Sequence, residues 1–599
     1  MSVKTVKRKS LFLGGLLGPG ILVFLFGYFI PLIMLFVISF YQGVPGSGIM
    51  KQTFTLENYV RFFDPYYSGV LLITFKIALF STLLSLVLGY PIALLLSRSS
   101  AKRRNLLLAI VLTPLLTNVV ARTLGLMIML GRNGPINQFL GLFSIPSVEF
   151  IPGQLGIILG LTQVFMPYMI LSISSVLSNI DLSLQDAARD LGCSAHMVFW
   201  KIIFPLSMPG VVAGSLFVFL LSFSSFVTPR LLGGGKVMVM TMVIYQQAML
   251  LLNWPFGAAA ATILLLVSIV LVTFYTKITG NVEARQVPAG NNFSNCAKRK
   301  DITWGDRFND FCYEMVNRIS KVLNKGVGLL SFLKVFKPLT KYLSKIGYFF
   351  ILLFIIMPLP IVILISFSES NIITFPPIGF SFKWYIGLLR QTEYIRSFLL
   401  SLRIALLCVV ISLSFGTLAS LALVRYDFRG RELVKSLFLS PLMLPAVIVG
   451  ISLLRFLVSI RWVATFRGIL LAHLVFTTAY VVRTVSSSLI GFDNILEDAA
   501  RDLGASAFYT FRRITLPLIK PGLIVAGIFA FIVSFDETTV SMFITGGRTI
   551  TLPVRIFSQL EYGGLNPTVT TISSLLILTS VGVLFIISKV FGLEKFSIQ

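Results

Sequence analysis

Two copies of one acidic heptapeptide, Asp186-Ala-Ala-Arg-Asp-Leu-Gly192 and Asp498-Ala-Ala-Arg-Asp-Leu-Gly504, begin at positions 186 and 498, 312 residues apart. Carboxylates beside small alanines on a short helix make a flat, charged knob that another protein can approach closely, so the chemistry they suggest is docking. Asp181 and Asp493 are placed to cap the start of each knob, and Gly192 and Gly504 to end it with a left-handed turn. Ser194 and Ser506 then cap the helix that follows. The plainer alternative is a tight helix–turn–helix that only routes the chain. Two copies in one orientation favour docking on a two-fold partner.

A second candidate is the adjacent pair Asp536-Glu537, which stands where the first half has Ser224-Ser225. A charge at the centre of a membrane helix costs about 2.5–3.5 kcal/mol, so such residues normally face a cavity or a partner. Counting from Lys520 at ~1.5 Å per residue puts Asp536 toward the outer third of the bilayer. As a functional pair the carboxylates would hold an ammonium group along a translocation path. As a structural pair they would reach the outer interface or a partner such as Arg548. Arg122 and Arg483, also within or near apolar segments, read as interfacial or paired arginines.

Other chemistry has little support. The four cysteines, Cys193, Cys296, Cys312 and Cys408, include no Cys-x-x-Cys pair, and the two histidines are His196 and His473. No metal site and no cofactor are expected. The chain carries no Gly-x-x-x-x-Gly-Lys-Ser/Thr loop, and Gly233-Gly-Gly-Lys236 runs on to Val237, which reads as a turn.

The elements that must position these residues follow from composition. Of 599 residues 56% are hydrophobic and 12% charged, with a mean hydropathy of +0.91. That describes a polytopic membrane protein, and the net charge of +27 is read against membrane sidedness rather than nucleic acid. A window of roughly 20 apolar residues finds spans near 11–40, 70–97, 105–131, 153–178, 207–232 and 255–277. A second series lies near 346–368, 398–424, 433–458, 466–490, 518–543 and 568–591. The fold expected is an all-α membrane protein of about 12 transmembrane helices.

The basic N-terminus, the Arg98–Arg104 and Arg425–Lys435 loops and the 278–345 stretch fall on one side by span count, which the positive-inside rule assigns to the cytoplasm. Arg461 and Arg467, flanking a loop counted as external, run against it. Lys76-Ile-Ala-Leu79 matches Arg403-Ile-Ala-Leu406, Gly89 matches Gly416 and Pro114 matches Pro441, now at an offset of 327 (76 to 403). The second half is therefore shorter between these landmarks, and the external loop around 132–150 is the expected site of the difference. An even number of spans per half makes the two six-helix repeats parallel. The expected division is 1–280 as the first half, 281–345 as a basic cytoplasmic linker and 346–599 as the second half. Within the linker, Phe308–Val322 has the pattern of a surface helix.

With both knobs in place, a family resemblance emerges. The segments 181–209 and 493–521 resemble the EAA loop of importer-type ABC permeases: Glu-Ala-Ala, three residues, Gly, nine residues, Ile-x-Leu-Pro. Asp498-Ala499-Ala500, Gly504, Ile514, Leu516 and Pro517 fit, with Asp in place of Glu. Asp186-Ala187-Ala188, Gly192, Ile202 and Pro205 fit with Phe204 where Leu is usual.

The resemblance covers the chain as two fused permease halves of the type I importer fold. It implies that these eight knob residues, Asp186, Ala187, Ala188, Gly192, Asp498, Ala499, Ala500 and Gly504, couple to two ATP-binding cassette ATPase subunits on the cytoplasmic face. It further implies a periplasmic or lipoprotein substrate-binding protein and a bacterial inner membrane with the N-terminus inside.

Local wording refines it. Arg122-Thr-Leu-Gly125, Gly131-Arg-Asn-Gly134 and Asn253-Trp-Pro-Phe-Gly257 resemble the first permease of polyamine uptake systems. Phe380-Ser-Phe-Lys-Trp-Tyr385, Arg425-Tyr-Asp-Phe-Arg-Gly430, Phe535-Asp-Glu537 and Thr551-Leu-Pro-Val554 resemble the second. The implied function is import of a small organic cation such as spermidine or putrescine, with Asp536 and Glu537 on the path. Ferric iron, thiamine or an aminophosphonate are the alternatives within the class, and a secondary transporter is the alternative outside it.

Overall fold

The computed structural model describes residues 3–44, 46, 49–283, 337–493 and 495–591. Most of the expected linker, with its Phe308–Val322 segment, lies outside the described residues. Apolar runs become helices throughout, because a chain in hydrocarbon must satisfy its backbone internally.

Among the described residues eight helices are long and apolar enough to cross a membrane: Leu13–Ile38, Pro65–Ser97, Gln154–Ser178, Phe199–Ser224, Trp254–Thr273, Thr392–Arg425, Phe466–Ile490 and Ala507–Asp536. Three more expected spans are bent pairs rather than single rods. Ala101–Leu115 meets the following helix at 97°, Arg431–Leu442 meets Ala446–Ser459 at 98°, and Lys345–Ile356 meets Pro358–Ser366 at 52°. The last expected span is a helix, Pro567–Phe591, apolar over its described part Pro567–Gly582. Among the described residues the count is eight, or up to eleven with each bent pair taken as one, and Pro567–Phe591 stands in the place of the twelfth expected span.

The two sharp breaks have local causes. At the first, Asn118 leaves helical geometry and its side chain accepts the N–H groups of Val120 and Ala121, starting a new helix, Val119–Leu130. At the second, Pro445 holds that place before Ala446–Ser459.

The repeat is visible residue for residue. Gln154–Ser178 and Phe466–Ile490 correspond end for end at the 312-residue offset (154 to 466, 178 to 490). Val119–Leu130 and Ala446–Ser459 start at the larger offset, 119 to 446. The extra residues of the first half therefore lie between Leu130 and Gln154, where they form the short helix Pro135–Leu142. Both halves also carry a π-helical turn at the same place, Phe199–Ile203 and Phe511–Thr515, ahead of the Pro-Leu landmark.

Each half lends its first span to the other. Leu13–Ile38 packs on Thr392–Arg425, Ala446–Ser459 and Phe466–Ile490, with the Phe24 and Phe438 rings 4.9 Å apart. Reciprocally, Lys337–Ile356 and Pro358–Ser366 pack on Ala101–Leu115 and Val119–Leu130, and Gln163 donates from Nε2 to the Ile355 carbonyl at 2.7 Å. Lipid removes the hydrophobic drive between helices, so close approach and internal hydrogen bonds hold these contacts. Gly125 shows how close: a Cβ there would lie 2.2 Å from the Pro358 carbonyl oxygen. Farther along, Arg230 donates to Glu561 from Nε at 2.7 Å and Nη2 at 2.6 Å, a half-to-half ion pair.

Candidate functional site

The heptapeptides form two short helices, Ser183–Asp190 and Ile495–Asp502, here called the first and second elbows. Asp181 accepts the Ser183 N–H at 2.9 Å, and Asp493 accepts the Ile495 N–H at 3.0 Å. That hydrogen bond holds the exposed Asp181 carboxyl below its usual range. Gly192 and Gly504 have φ of 84° and 87°, the left-handed turn a side chain disfavours. Beyond it, Ser194 accepts the Met197 N–H and Ser506 the Tyr509 N–H, both at 3.3 Å. All six local features take the form their sequence positions suggest.

Asp186, Ala187, Asp498 and Ala499 are exposed, Ala500 is half-buried and Ala188 is buried. Each leading aspartate lies near the arginine three residues on, Asp186 to Arg189 at 3.7 Å and Asp498 to Arg501 at 4.0 Å. The most exposed apolar groups on the elbows are Leu191 at 86% and Leu503 at 90%. Both leucines lie inside the repeated heptapeptide, beside the alanines. Leu182 and Leu184 on the first elbow and Ile495 and Leu496 on the second are exposed as well, and several exposed apolar groups together are what a docking surface supplies.

How the elbows attach to the spans was not anticipated. In the first half, Arg98, just past Pro65–Ser97, donates from Nη2 to Gln185 Oε1 at 2.6 Å. In the second half the matching residues are Arg425 and Glu497, with Nε to Oε2 at 3.2 Å and side chains only 10% and 6% exposed. Thr515 also donates to Glu497 Oε1 at 2.6 Å, and the Arg425 guanidinium lies 4.4 Å from the Phe492 ring centre. Each elbow is therefore tied to the C-terminal end of its half's second span, by an arginine–amide hydrogen bond in one case and an ion pair in the other. The signal in the sequence was the residue just before each heptapeptide, Gln185 or Glu497.

The acidic pair separates into two environments. Glu537 accepts the Val540 N–H at 2.9 Å and the Ser541 N–H at 2.8 Å, capping the short helix Ser541–Ile544. Asp536 ends the span Ala507–Asp536 and receives the side-chain amide of Asn118 from the other half. Asp536 thus meets the N-terminus of the broken helix Val119–Leu130, whose partial positive charge suits a carboxylate. Arg122 lies buried on the same helix within electrostatic reach of Asp536, and its Nε and Nη1 have no hydrogen-bond partner among the described residues.

The hydrogen-bond partner of Asp536 is therefore Asn118, with Arg122 near it, where the sequence had offered Arg548. Tyr168 stands within electrostatic reach of Arg122 and, across the halves, of Tyr480, Arg483 and Asp536. Tyr168 and Tyr480 are repeat equivalents (168 to 480), both half-buried, and Arg483 is exposed although it lies within a span. The result is a polar cluster between the halves, flanked by a broken helix. Among the described residues no group of His, Cys, Asp and Glu could hold a metal ion.

Comparison with known proteins follows the same two-part division. Residues 85–282 and 412–591 each match the family described as binding-protein-dependent transport system inner membrane component. The spermidine/putrescine transport system permease protein PotB of Salmonella typhimurium is 39% identical over 251 residues, 41% of this chain and 86% of that protein. The putrescine transport system permease protein PotI of Escherichia coli is 37% identical over 238 residues, 38% of this chain and 83% of that protein. Among solved structures, a bacterial ABC transporter involved in import of the acidic polysaccharide alginate is similar with a TM-score of 0.40 and 18% identity. The similarity covers 47% of this chain and 98% of that one.

Proposed function

The chain belongs to the inner membrane components of binding-protein-dependent transport systems, and on that premise we propose that it moves small organic cations of the polyamine type inward, driven by ATP. It is a multi-pass membrane permease with both repeats of the family in one chain. In the proposed arrangement the N-terminus is cytoplasmic, 1–280 and 346–599 are the permease halves, and 281–345 joins them. Two ATPase subunits take the elbows, one each, and a periplasmic or lipoprotein receptor delivers substrate to the opposite face.

The observation that carries this reading is the pair of matched elbows, alike in caps, left-handed glycine and exposed leucine. A dimeric motor whose two subunits close on ATP would draw both elbows together, and it favours whichever permease conformation brings them closer. The similarity to spermidine/putrescine and putrescine permeases supports the substrate class. Asp536 is the carboxylate we assign to the path; an incoming ammonium group would compete there with Asn118 and Arg122. Glu537, occupied as a helix cap, would shape the turn.

The test is uptake by proteoliposomes holding the full chain, the neighbouring ATPase and the neighbouring receptor. ATP-dependent accumulation of labelled spermidine or putrescine is expected. Asp536→Asn should raise the concentration for half-maximal uptake about tenfold, the worth of one charge-assisted hydrogen bond. Uptake that persists without the ATPase on an ion gradient alone would overturn the motor. Receptor selectivity for an anion, a ferric complex or thiamine would overturn the substrate class.

A further inference from the structure

His473 is a buried imidazole in the span Phe466–Ile490, 2% exposed. Its Nδ1 lies 2.9 Å from the Ser534 hydroxyl and its Nε2 lies 2.8 Å from the Ser541 hydroxyl. Those two serines flank the acidic turn: Ser534 is two residues before Asp536, and Ser541 begins the helix that Glu537 caps. One ring therefore bolts both legs of the turn to a span that also carries Tyr480 and Arg483. A neutral imidazole has one donor and one acceptor nitrogen, and a serine hydroxyl can serve either, so both bonds are satisfied together.

The first half lacks the device. The position matching His473 is Leu161 (161 to 473), and the turn reads Ser224-Ser225. Ser222, which matches Ser534 (222 to 534), has a buried hydroxyl with no hydrogen-bond partner among the described residues. The clamp and the carboxylates occur in the same half and at the same turn. Any buried imidazole must satisfy both ring nitrogens; here both partners belong to the acidic turn.

We propose that His473 is a positioning residue that holds the Asp536 carboxylate at the interface between the halves, through Ser534 on one side and Ser541 on the other. The inference rests on the assignment of Asp536 to the substrate path. Small residues alone would let the turn shift, and a carboxylate displaced by about 1 Å loses much of its value to a passing ligand.

The experiment is a double-mutant cycle in the proteoliposomes described above, with labelled spermidine as the probe. His473→Leu, which restores the first half's residue, should raise the half-maximal concentration about fivefold while receptor-stimulated ATP hydrolysis stays near that of the unmodified chain. His473→Gln, whose amide also offers one donor and one acceptor side, should recover most of the loss. In an Asp536→Asn background His473→Leu should add nothing further. Ser534→Ala with Ser541→Ala keeps the ring and removes its partners, and should reproduce the His473→Leu effect even where that variant folds poorly. An additive effect in the Asp536→Asn background, or an unchanged half-maximal concentration in the serine variant, overturns the positioning role alone. An Asp536→Asn variant that transports like the unmodified chain overturns the path assignment and the positioning role with it.

Discussion

Replacing Glu497 by alanine should cut the second elbow loose from the membrane helices while leaving the rest of the fold in place. The Arg425 and Glu497 side chains are 10% and 6% exposed, so the pair lies largely out of water. Removing one member of a buried ion pair costs about 3–5 kcal/mol, because the remaining charge loses its counter-charge. The Thr515 hydroxyl, which donates to Glu497 at 2.6 Å, loses its acceptor as well, adding about 1 kcal/mol or more. A loss of about 4 kcal/mol shifts the ratio of docked to free elbow by nearly a thousandfold.

Glu497→Gln should be far milder. The first half already runs on an arginine–glutamine bond, Arg98 to Gln185 at 2.6 Å, and the amide oxygen can still accept. A cost near 1 kcal/mol, about fivefold in the same ratio, is expected. The assay is substrate moved per ATP hydrolysed in proteoliposomes, with basal and receptor-stimulated hydrolysis measured side by side. Alanine should retain ATPase association and basal hydrolysis but lose most receptor stimulation and uptake, with glutamine close to the unmodified chain. Normal coupling in the alanine variant would refute the idea that this brace transmits elbow movement. Equal damage from glutamine and alanine would refute the equivalence of the two braces.

Two further outcomes test the frame around this site. Gly192→Pro and Gly504→Pro each impose a φ near −65° where 84° and 87° are found, and each removes an N–H that donates 2.9 Å to the carbonyl of Arg189 or Arg501. The chains should insert into the membrane yet fail to support ATP-dependent uptake; transport at the normal rate by both would remove the elbows from the mechanism. Gly125→Ala should lower the melting midpoint in detergent, since its Cβ would sit 2.2 Å from the Pro358 carbonyl oxygen, backbone against backbone. Overpacking of this kind costs about 1–3 kcal/mol, and an unchanged midpoint would mean that the halves do not approach so closely there.

The parts of this protein legible in its sequence are those governed by short-range chemistry. Apolar length marks a span because hydrocarbon demands it, and the duplicated heptapeptide carries its own glycine stop and is flanked by its caps. Elbow geometry was therefore readable from about fifteen consecutive residues in each half, Asp181 to Ser194 and Asp493 to Ser506. Hydropathy located the bent spans but not their breaks, since a window average does not register one asparagine at position 118 that ends a helix sideways and starts another.

Tertiary structure alone decided what the buried polar groups do. Asn118 and Asp536 meet from opposite halves of the chain, Arg425 finds Glu497 at the foot of another span, and His473 reaches Ser534 and Ser541 from a neighbouring helix. None of these pairs shares a helical turn, so no periodicity announces them. The acidic pair could be read as two charges in an apolar segment, but its division into a helix cap and an interface carboxylate depended on which backbone N–H groups and which helix end came within reach after the halves exchanged their first spans.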